Sequence, residues 1–260
     1  MLGGKRMRVL VLGGTTEASR LAALLAAARR DIWSMLSFAG RTKAPIAPAI
    51  PYRIGGFGGV EGLVSYLERE RIELLVDATH PYAEQMSRNA ELASAQAGIP
   101  LIVLTRPPWL REPGDDWTIV GDMEAAAAAL GPEPKRVFLT IGRLQLAAFA
   151  SAPQHAYLIR AVDPFDPPPE LARCRVIAGR GPFGSAAEEE LLRDEKIEMI
   201  VTKNSGGGAA FAKIVAARRL GLPVVMVERP QGVAGDALHD PAEAMAHILA
   251  HAEALASRGV

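Results

Sequence analysis

An α/β fold with mostly parallel sheets is predicted by three observations. Short apolar, β-forming runs alternate along the whole chain with alanine- and leucine-rich stretches of helical spacing. Most of these runs end in glycine or polar turns that open the next helix. Finally, 49 % of the 260 residues are apolar and the mean hydropathy is +0.13, enough for a sizeable core and too much for a disordered chain. Strands separated by helices need crossover connections, and crossovers make neighbouring strands parallel.

The elements follow in order. Residues 7–12, Met-Arg-Val-Leu-Val-Leu, read as a strand, Gly13-Gly14 as a tight turn and residues 17–29 as a helix. Tyr52-Arg53-Ile54 is a short run before the glycine cluster 55–59 and a helix over 60–69. Residues 74–78 form a strand that leads through Thr79-His80-Pro81 into a helix to about residue 97. Gly98 stops that helix ahead of a strand over 99–104. In the second half, strands over 137–141 and 199–202 run into Gly142-Arg143 and Lys203-Asn204-Ser205-Gly206, each followed by a helix. Residues 223–227 form a further strand, and Asp240 caps a last helix over 241–257 with proline at its first position. Two proline-rich segments, 106–116 and 162–169, fit neither regular structure. The first, with the alanine-rich helix 123–130 and Gly131-Pro132-Glu133-Pro134 after it, marks a domain boundary, dividing the chain into residues 1–130 and 131–260; the second is a lid or a plain connection.

Composition excludes several classes of function. With 29 basic and 29 acidic residues the net charge is zero, which removes the broad electrostatic case for a nucleic-acid or acidic-membrane partner. The single cysteine, Cys174, excludes an intrachain disulfide and any cysteine-rich metal site, so no metal is expected and a reducing cytoplasm suits the chain. The apolar run 9–12 that follows Lys5, Arg6 and Arg8 is too short for a signal peptide or a membrane span. A monomer is expected.

The chemistry begins at Gly13, Gly14, Thr15 and Thr16, between the first strand and the first helix. Backbone amides and the positive end of a helix attract phosphate at such a place, although the G-x-G-x-x-G spacing is absent. A Gly-Gly turn with a threonine cap explains the same residues without a ligand. After the second strand come Ser37, Gly40, Arg41, Thr42 and Lys43, with no acid among them. NAD sites place a carboxylate there and NADP sites a cation, so a dinucleotide bound here would be NADP(H), Arg41 and the hydroxyls of Ser37 and Thr42 meeting its 2′-phosphate. Gly56, within the glycine cluster, suits backbone lying close to a flat ligand or a flexible turn. Thr79, His80 and Tyr82 stand at the carboxyl end of a strand, where open α/β sheets hold ligands; His80 is the candidate catalytic proton donor or a contact for the nicotinamide. Arg143, Arg160, Arg180, Phe183, Lys203, Asn204 and Ser205 fall at strand ends of the second half and describe a pocket for a ligand with several carboxylates.

These residues meet a known pattern. Leu12-Gly-Gly-Thr-Thr-Glu-Ala18, Asp77-Ala-Thr-His-Pro-Tyr-Ala83, Gly142-Arg143, Arg180-Gly-Pro-Phe183 and Val201-Thr-Lys-Asn-Ser-Gly206 resemble, in order and over nearly the whole chain, the motif series of the precorrin-6A reductase family of cobalamin biosynthesis. Tyr82 departs from the phenylalanine common in its block. The resemblance implies two Rossmann-like lobes with a cleft between them, the first for cofactor and the second for substrate. It implies NADPH as hydride donor and reduction of one double bond of the precorrin-6A macrocycle to the dihydro product, precorrin-6B. The carboxylate fringe of that macrocycle matches the cationic strand ends, Arg143, Arg180 and Lys203 above all, with Tyr82 and Phe183 beside it. Two other readings stay open: an NADP-dependent reductase of another polycarboxylate such as cobalt-precorrin-6A, and a non-catalytic NADP-sensing module.

Overall fold

Residues 6–28, 32–40, 47–162, 165, 169–230 and 237–258 are described by the computed structural model. The first part of the chain forms β1 (Met7–Leu12), α1 (Thr16–Ala27), β2 (Ile32–Phe38), β3 (Tyr52–Ile54), α2 (Gly59–Arg69), β4 (Leu74–Asp77), α3 (Glu84–Ala97) and β5 (Leu101–Val103). Its five strands lie in the order β3-β2-β1-β4-β5 with every pairing parallel. This is the doubly wound order of a Rossmann sheet, and the side chains of β1 show how it is built. Val9 and Val11 point to one face, against Leu21 and Leu25 of α1, while Leu10 and Leu12 point to the other, against Leu63 and Leu67 of α2 and Ala90 and Ala93 of α3. A stretch of strand covered on both faces is apolar at every position, which is why residues 9–12 of β1 read as an unbroken apolar run rather than an alternating one, with Arg8 at its entry.

The chain continues through β6 (Trp117–Val120), α4 (Met123–Ala128), β7 (Arg136–Thr140), a 3-10 helix (Arg143–Ser151), β8 (Ala156–Ala161), β9 (Cys174–Ala178), α5 (Ser185–Asp194), β10 (Met199–Lys203), α6 (Ala212–Leu220), β11 (Val224–Val227) and α7 (Pro241–Arg258). Here the strand order is β6-β11-β10-β7-β8-β9, again parallel throughout. Counted from β7, the order β9-β8-β7-β10-β11 repeats that of the first sheet, and β6 occupies a sixth place although it comes first in the chain. The predicted α/β class with two Rossmann-like parallel sheets is thus what the chain forms.

The division of the chain differs from the expected boundary at 130/131. One compact unit comprises Met1–Arg106 with Gln231–Val260, the other Pro107–Pro230. The cause lies in two long-range pairings. β6 pairs with β11, Trp117 to Val224 through Val120 to Val227, and this draws residues 117–128 into the second unit. The last helix returns to the first unit, where Ala244, Met245 and Ile248 pack with Ala18, Leu21 and Leu25, and Leu238 bridges Leu104 in parallel. Among the described residues no helix is long and apolar enough to cross a membrane.

Candidate functional site

In the first unit the glycine turn sits at the switch point between β1 and β4. The Gly13 amide donates to Ser37 O at 2.9 Å. A Cβ on Gly13 would lie 2.6 Å from Leu36 Cδ1, whereas Gly14, at φ +125°, has open space around it. Thr15 caps α1, and its hydroxyl is already committed: it accepts from Ala18 N at 3.1 Å and donates to Ala78 O at 2.7 Å. Thr15 therefore ties the turn to the end of β4. An anion at this turn would be met by the opening amides of α1, which have no partner within the helix, and by the exposed Thr16. Glu17, which would repel a pyrophosphate, is answered by Arg106 at 3.5 Å, both side chains only about a tenth exposed. This compensation is invisible to local sequence reading, because the partner lies 89 positions along.

The neighbouring strand ends carry the other predicted residues. Asp77, buried at the end of β4, accepts from Thr79 N at 3.0 Å and from Thr79 Oγ1 at 2.7 Å, fixing the turn that presents His80. His80 Nδ1 accepts the Tyr82 amide at 3.3 Å, so the neutral ring carries its hydrogen on Nε2. The Tyr82 ring lies tilted beside it, with centroids 5.7 Å apart. Ser37 is buried near the end of β2, and Gly40 follows with φ +78°. Arg41 and Thr42 lie outside the described residues, as does Lys43. The sequence reading passed over Arg53, whose Nη1 donates to Ser37 Oγ and to Gly55 O, each at 2.8 Å, and whose Nη2 donates to Gly56 O at 3.1 Å. Its guanidinium lies 4.1 Å from the centroid of Phe57. Gly62 lets the turn approach α2, since a Cβ there would fall 1.8 Å from Phe57 O.

In the second unit three predicted segments converge. Lys203 Nζ donates to Gln145 Oε1 at 2.9 Å, and the same oxygen accepts from Gly142 N at 3.1 Å, joining the end of β10 to the start of the 3-10 helix. Sequence spacing had suggested an ordinary apolar helix there. The Arg180-Gly-Pro-Phe183 turn abuts the loop after β10: Phe183 N donates to Ala209 O at 3.4 Å, and a Cβ on Gly181 would lie 2.8 Å from that oxygen. Ser205 N donates to Lys203 O at 2.7 Å, and Gly206 and Gly207 take φ of +67° and +68°. Asn204 was expected on the substrate, yet its side-chain amide grips a backbone. Oδ1 accepts from Trp109 N at 2.7 Å and Nδ2 donates to Trp109 O at 3.0 Å, while the Trp109 indole donates to Gly207 O at 2.8 Å. Arg143 and Arg180 are exposed, and Leu144 and Leu110 are exposed by 83 % and 75 %.

Arg160 leaves the set of strand-end cations that the sequence proposed for the ligand. It forms a two-bond pair with Glu188, at 2.9 and 2.7 Å, between the rings of Phe138 and Phe183. Buried beside them is Lys213, which donates to Ala210 O at 2.8 Å and lies 5.0 Å from the Trp109 ring centroid. Burial pushes its ammonium down to about 7, with the Glu188 carboxylate opposing and the Arg160 cation assisting. The unfolded chain keeps this lysine protonated to about pH 10.4. Between those values the folded state binds fewer protons, so stability rises with pH from about 7 upward. Urea unfolding of the native chain should show a gain of about 2 kcal/mol between pH 7 and pH 9 relative to Lys213→Met. Equal slopes for the two proteins would refute the buried titration.

Among the described residues no group of three or more His, Cys, Asp or Glu is placed to hold a metal. Comparison with known proteins adds the following. The family model described as Precorrin-6x reductase CbiJ/CobK matches residues 8–249. The precorrin-6A reductase of Rhodobacter capsulatus is 53 % identical over 229 residues, covering 88 % of this chain and 90 % of the relative. The cobalt-precorrin-6A reductase of Priestia megaterium is 28 % identical over 233 residues, 86 % of this chain and 91 % of the relative. A solved structure titled CobK precorrin-6A reductase superposes with a TM-score of 0.89 at 51 % identity, covering 94 % of this chain and 97 % of that one.

Proposed function

The chain belongs to the precorrin-6x reductase family, and from that premise we propose that it reduces metal-free precorrin-6A to precorrin-6B with NADPH. The observation that carries the substrate side is the surface at the carboxyl ends of the second sheet. There the exposed cations Arg143 and Arg180 stand with two exposed leucines, Leu144 beside Arg143 and Leu110 beside the Trp109 that Asn204 holds. Apolar side chains suit the flat face of a macrocycle, and arginine forks suit a rim of carboxylates. The much higher identity to a precorrin-6A reductase than to a cobalt-precorrin-6A reductase, 53 % against 28 %, favours the metal-free substrate.

The first unit holds the cofactor in this reading. Gly13 and Gly14 let the diphosphate approach the opening amides of α1, with Thr16 as a side-chain donor and Thr15 as the cap that shapes the turn. Gly14 in particular has both the positive φ and the empty surroundings that a close backbone approach requires. NADPH supplies the hydride, and the protein supplies orientation and charge neutralisation. His80 offers a donor at Nε2 to the nicotinamide end or to the accompanying proton transfer, its ring held by the Tyr82 amide. Ser37, Gly40, Arg41, Thr42 and Gly56 serve the adenosine end, and in the second unit Arg143, Arg180 and Lys203, with Phe183 and Ser205, serve the macrocycle.

The test is a spectroscopic assay of the purified protein with NADPH and precorrin-6A, run beside cobalt-precorrin-6A. Oxidation of NADPH in step with a change in the macrocycle spectrum is expected, fastest on the metal-free substrate. Faster turnover of the cobalt form would replace the substrate, and no oxidation with either would overturn the reading.

A further inference from the structure

We propose that Arg53 is a positioning residue for the 2′-phosphate of the dinucleotide, acting through Ser37. This inference rests on the reading that the first unit binds NADPH. In the parallel sheet Ser37 stands opposite Leu12 of β1 on one side and opposite Arg53 of β3 on the other. That puts Arg53 one strand beyond the carboxyl end of β2, the place where a Rossmann domain distinguishes a ribose hydroxyl from a phosphate.

The chemistry of the pair sets its polarity. A guanidinium has donors and no acceptor, so at 2.8 Å the Ser37 oxygen must accept from Arg53 Nη1. The serine hydrogen is then left to donate in another direction. Ser37 becomes an obligatory donor backed by a full positive charge, the arrangement an anionic oxygen prefers. A carboxylate at this place, as in NAD sites, would accept from the two ribose hydroxyls instead, and no acid occurs between residues 36 and 43.

Arg53 is also held where it stands. Both hydrogens of Nη1 are used, on Ser37 Oγ and Gly55 O, and Nη2 reaches Gly56 O. The plane lies over Phe57 at 4.1 Å and near Tyr66 at 5.3 Å, and those two rings meet edge to face with centroids 5.1 Å apart. A side chain with several rotatable bonds is thereby fixed before any ligand arrives, which lowers the cost of ordering it on binding. The same contacts hold the Gly55 and Gly56 carbonyls toward the guanidinium.

Calorimetric titration of the full chain with 2′,5′-ADP and with 5′-AMP tests this on wild type, Arg53→Gln, Arg53→Lys and Ser37→Ala. Wild type should favour 2′,5′-ADP. Arg53→Gln should lose about tenfold to a hundredfold on 2′,5′-ADP while 5′-AMP changes little. Arg53→Lys, which keeps the charge and loses the fork, should fall between, and in Arg53→Gln a further Ser37→Ala change should cost less than it does in wild type. Equal losses on both nucleotides would mean that Arg53 only props up the glycine turn, and would overturn the proposal. An Arg53→Gln protein as selective as wild type would also overturn it while leaving the cofactor reading intact. A wild type that binds neither nucleotide would remove the cofactor reading and this inference together.

Discussion

Glu188→Ala should destabilise the second unit by about 3–5 kcal/mol, the penalty typical of removing one partner from a buried ion pair. The side chains of Arg160 and Glu188 are only 10 % and 3 % exposed, so water does not take over when the carboxylate is lost. Lys213, buried alongside, loses the carboxylate that opposed its deprotonation, and the Arg160 guanidinium is left as an unpaired charge in an apolar setting. A domain is typically stable by about 5–15 kcal/mol, so this one change uses up a large part of the margin. Denaturant unfolding followed by tryptophan fluorescence reports on this unit through Trp109 and Trp117, both of which lie in its core. The double variant Arg160→Met/Glu188→Leu separates charge from packing. It should recover most of the loss, because an apolar pair of similar volume needs no desolvation. A Glu188→Ala protein within about 1 kcal/mol of wild type would show that the pair is solvated after all.

That triad also shows where sequence reading stops. Arg160 was legible as a cation at a strand end, and nothing local distinguished it from Arg143, which is exposed. The difference lies in Glu188, 28 positions away on α5, which only the packing of α5 against the sheet brings into range. The central strands were legible for the opposite reason, whereas no strand was named over β8 or β9. Strands such as β1, β4 and β10 are covered on two faces over residues 9–12, 74–76 and 199–201, and this writes a short unbroken apolar run into the sequence. β6 was missed because four residues, Trp-Thr-Ile-Val, with two exposed, make no such run, and their partner β11 is more than a hundred positions on. Likewise the apolar face of α7 was readable, but not which sheet it covers. The turns at Gly13, Gly142 and Lys203 were found because a strand-to-helix turn is a local feature; the role of Arg53 was not, because a three-residue strand with a charged centre says nothing about which way that centre points.

Asn204→Ala should lower kcat/KM by about a hundredfold, the size of loss that a misplacement of about 1 Å produces in a reactive complex. The segment 107–116 has no regular structure, and Asn204 holds its Trp109 backbone on both sides, accepting from the amide and donating to the carbonyl. Removing the side chain leaves both groups without these partners, at about 1–3 kcal/mol each where water is excluded. The segment then shifts away from the loop after β10. With it go the indole bond to Gly207 O and the tilted contact of the Trp109 and Phe211 rings, whose centroids are 5.6 Å apart. Lys203 ends β10 and Ser205 lies on the loop that follows, with Leu110 on the segment, so the proposed substrate surface loses its shape at two edges together. Asn204→Asp is the sharper variant. A carboxylate still accepts from Trp109 N, but it sets a second charged acceptor against Trp109 O and repels it. Its loss should equal or exceed that of alanine, whereas an Asn204 that merely donated to a substrate carboxylate would show the same ranking only with a parallel rise in KM. Tryptophan emission separates the two cases. If Asn204 is a clamp, both variants shift the Trp109 signal in the absence of any ligand; an unchanged spectrum with a raised KM would move Asn204 back to the substrate.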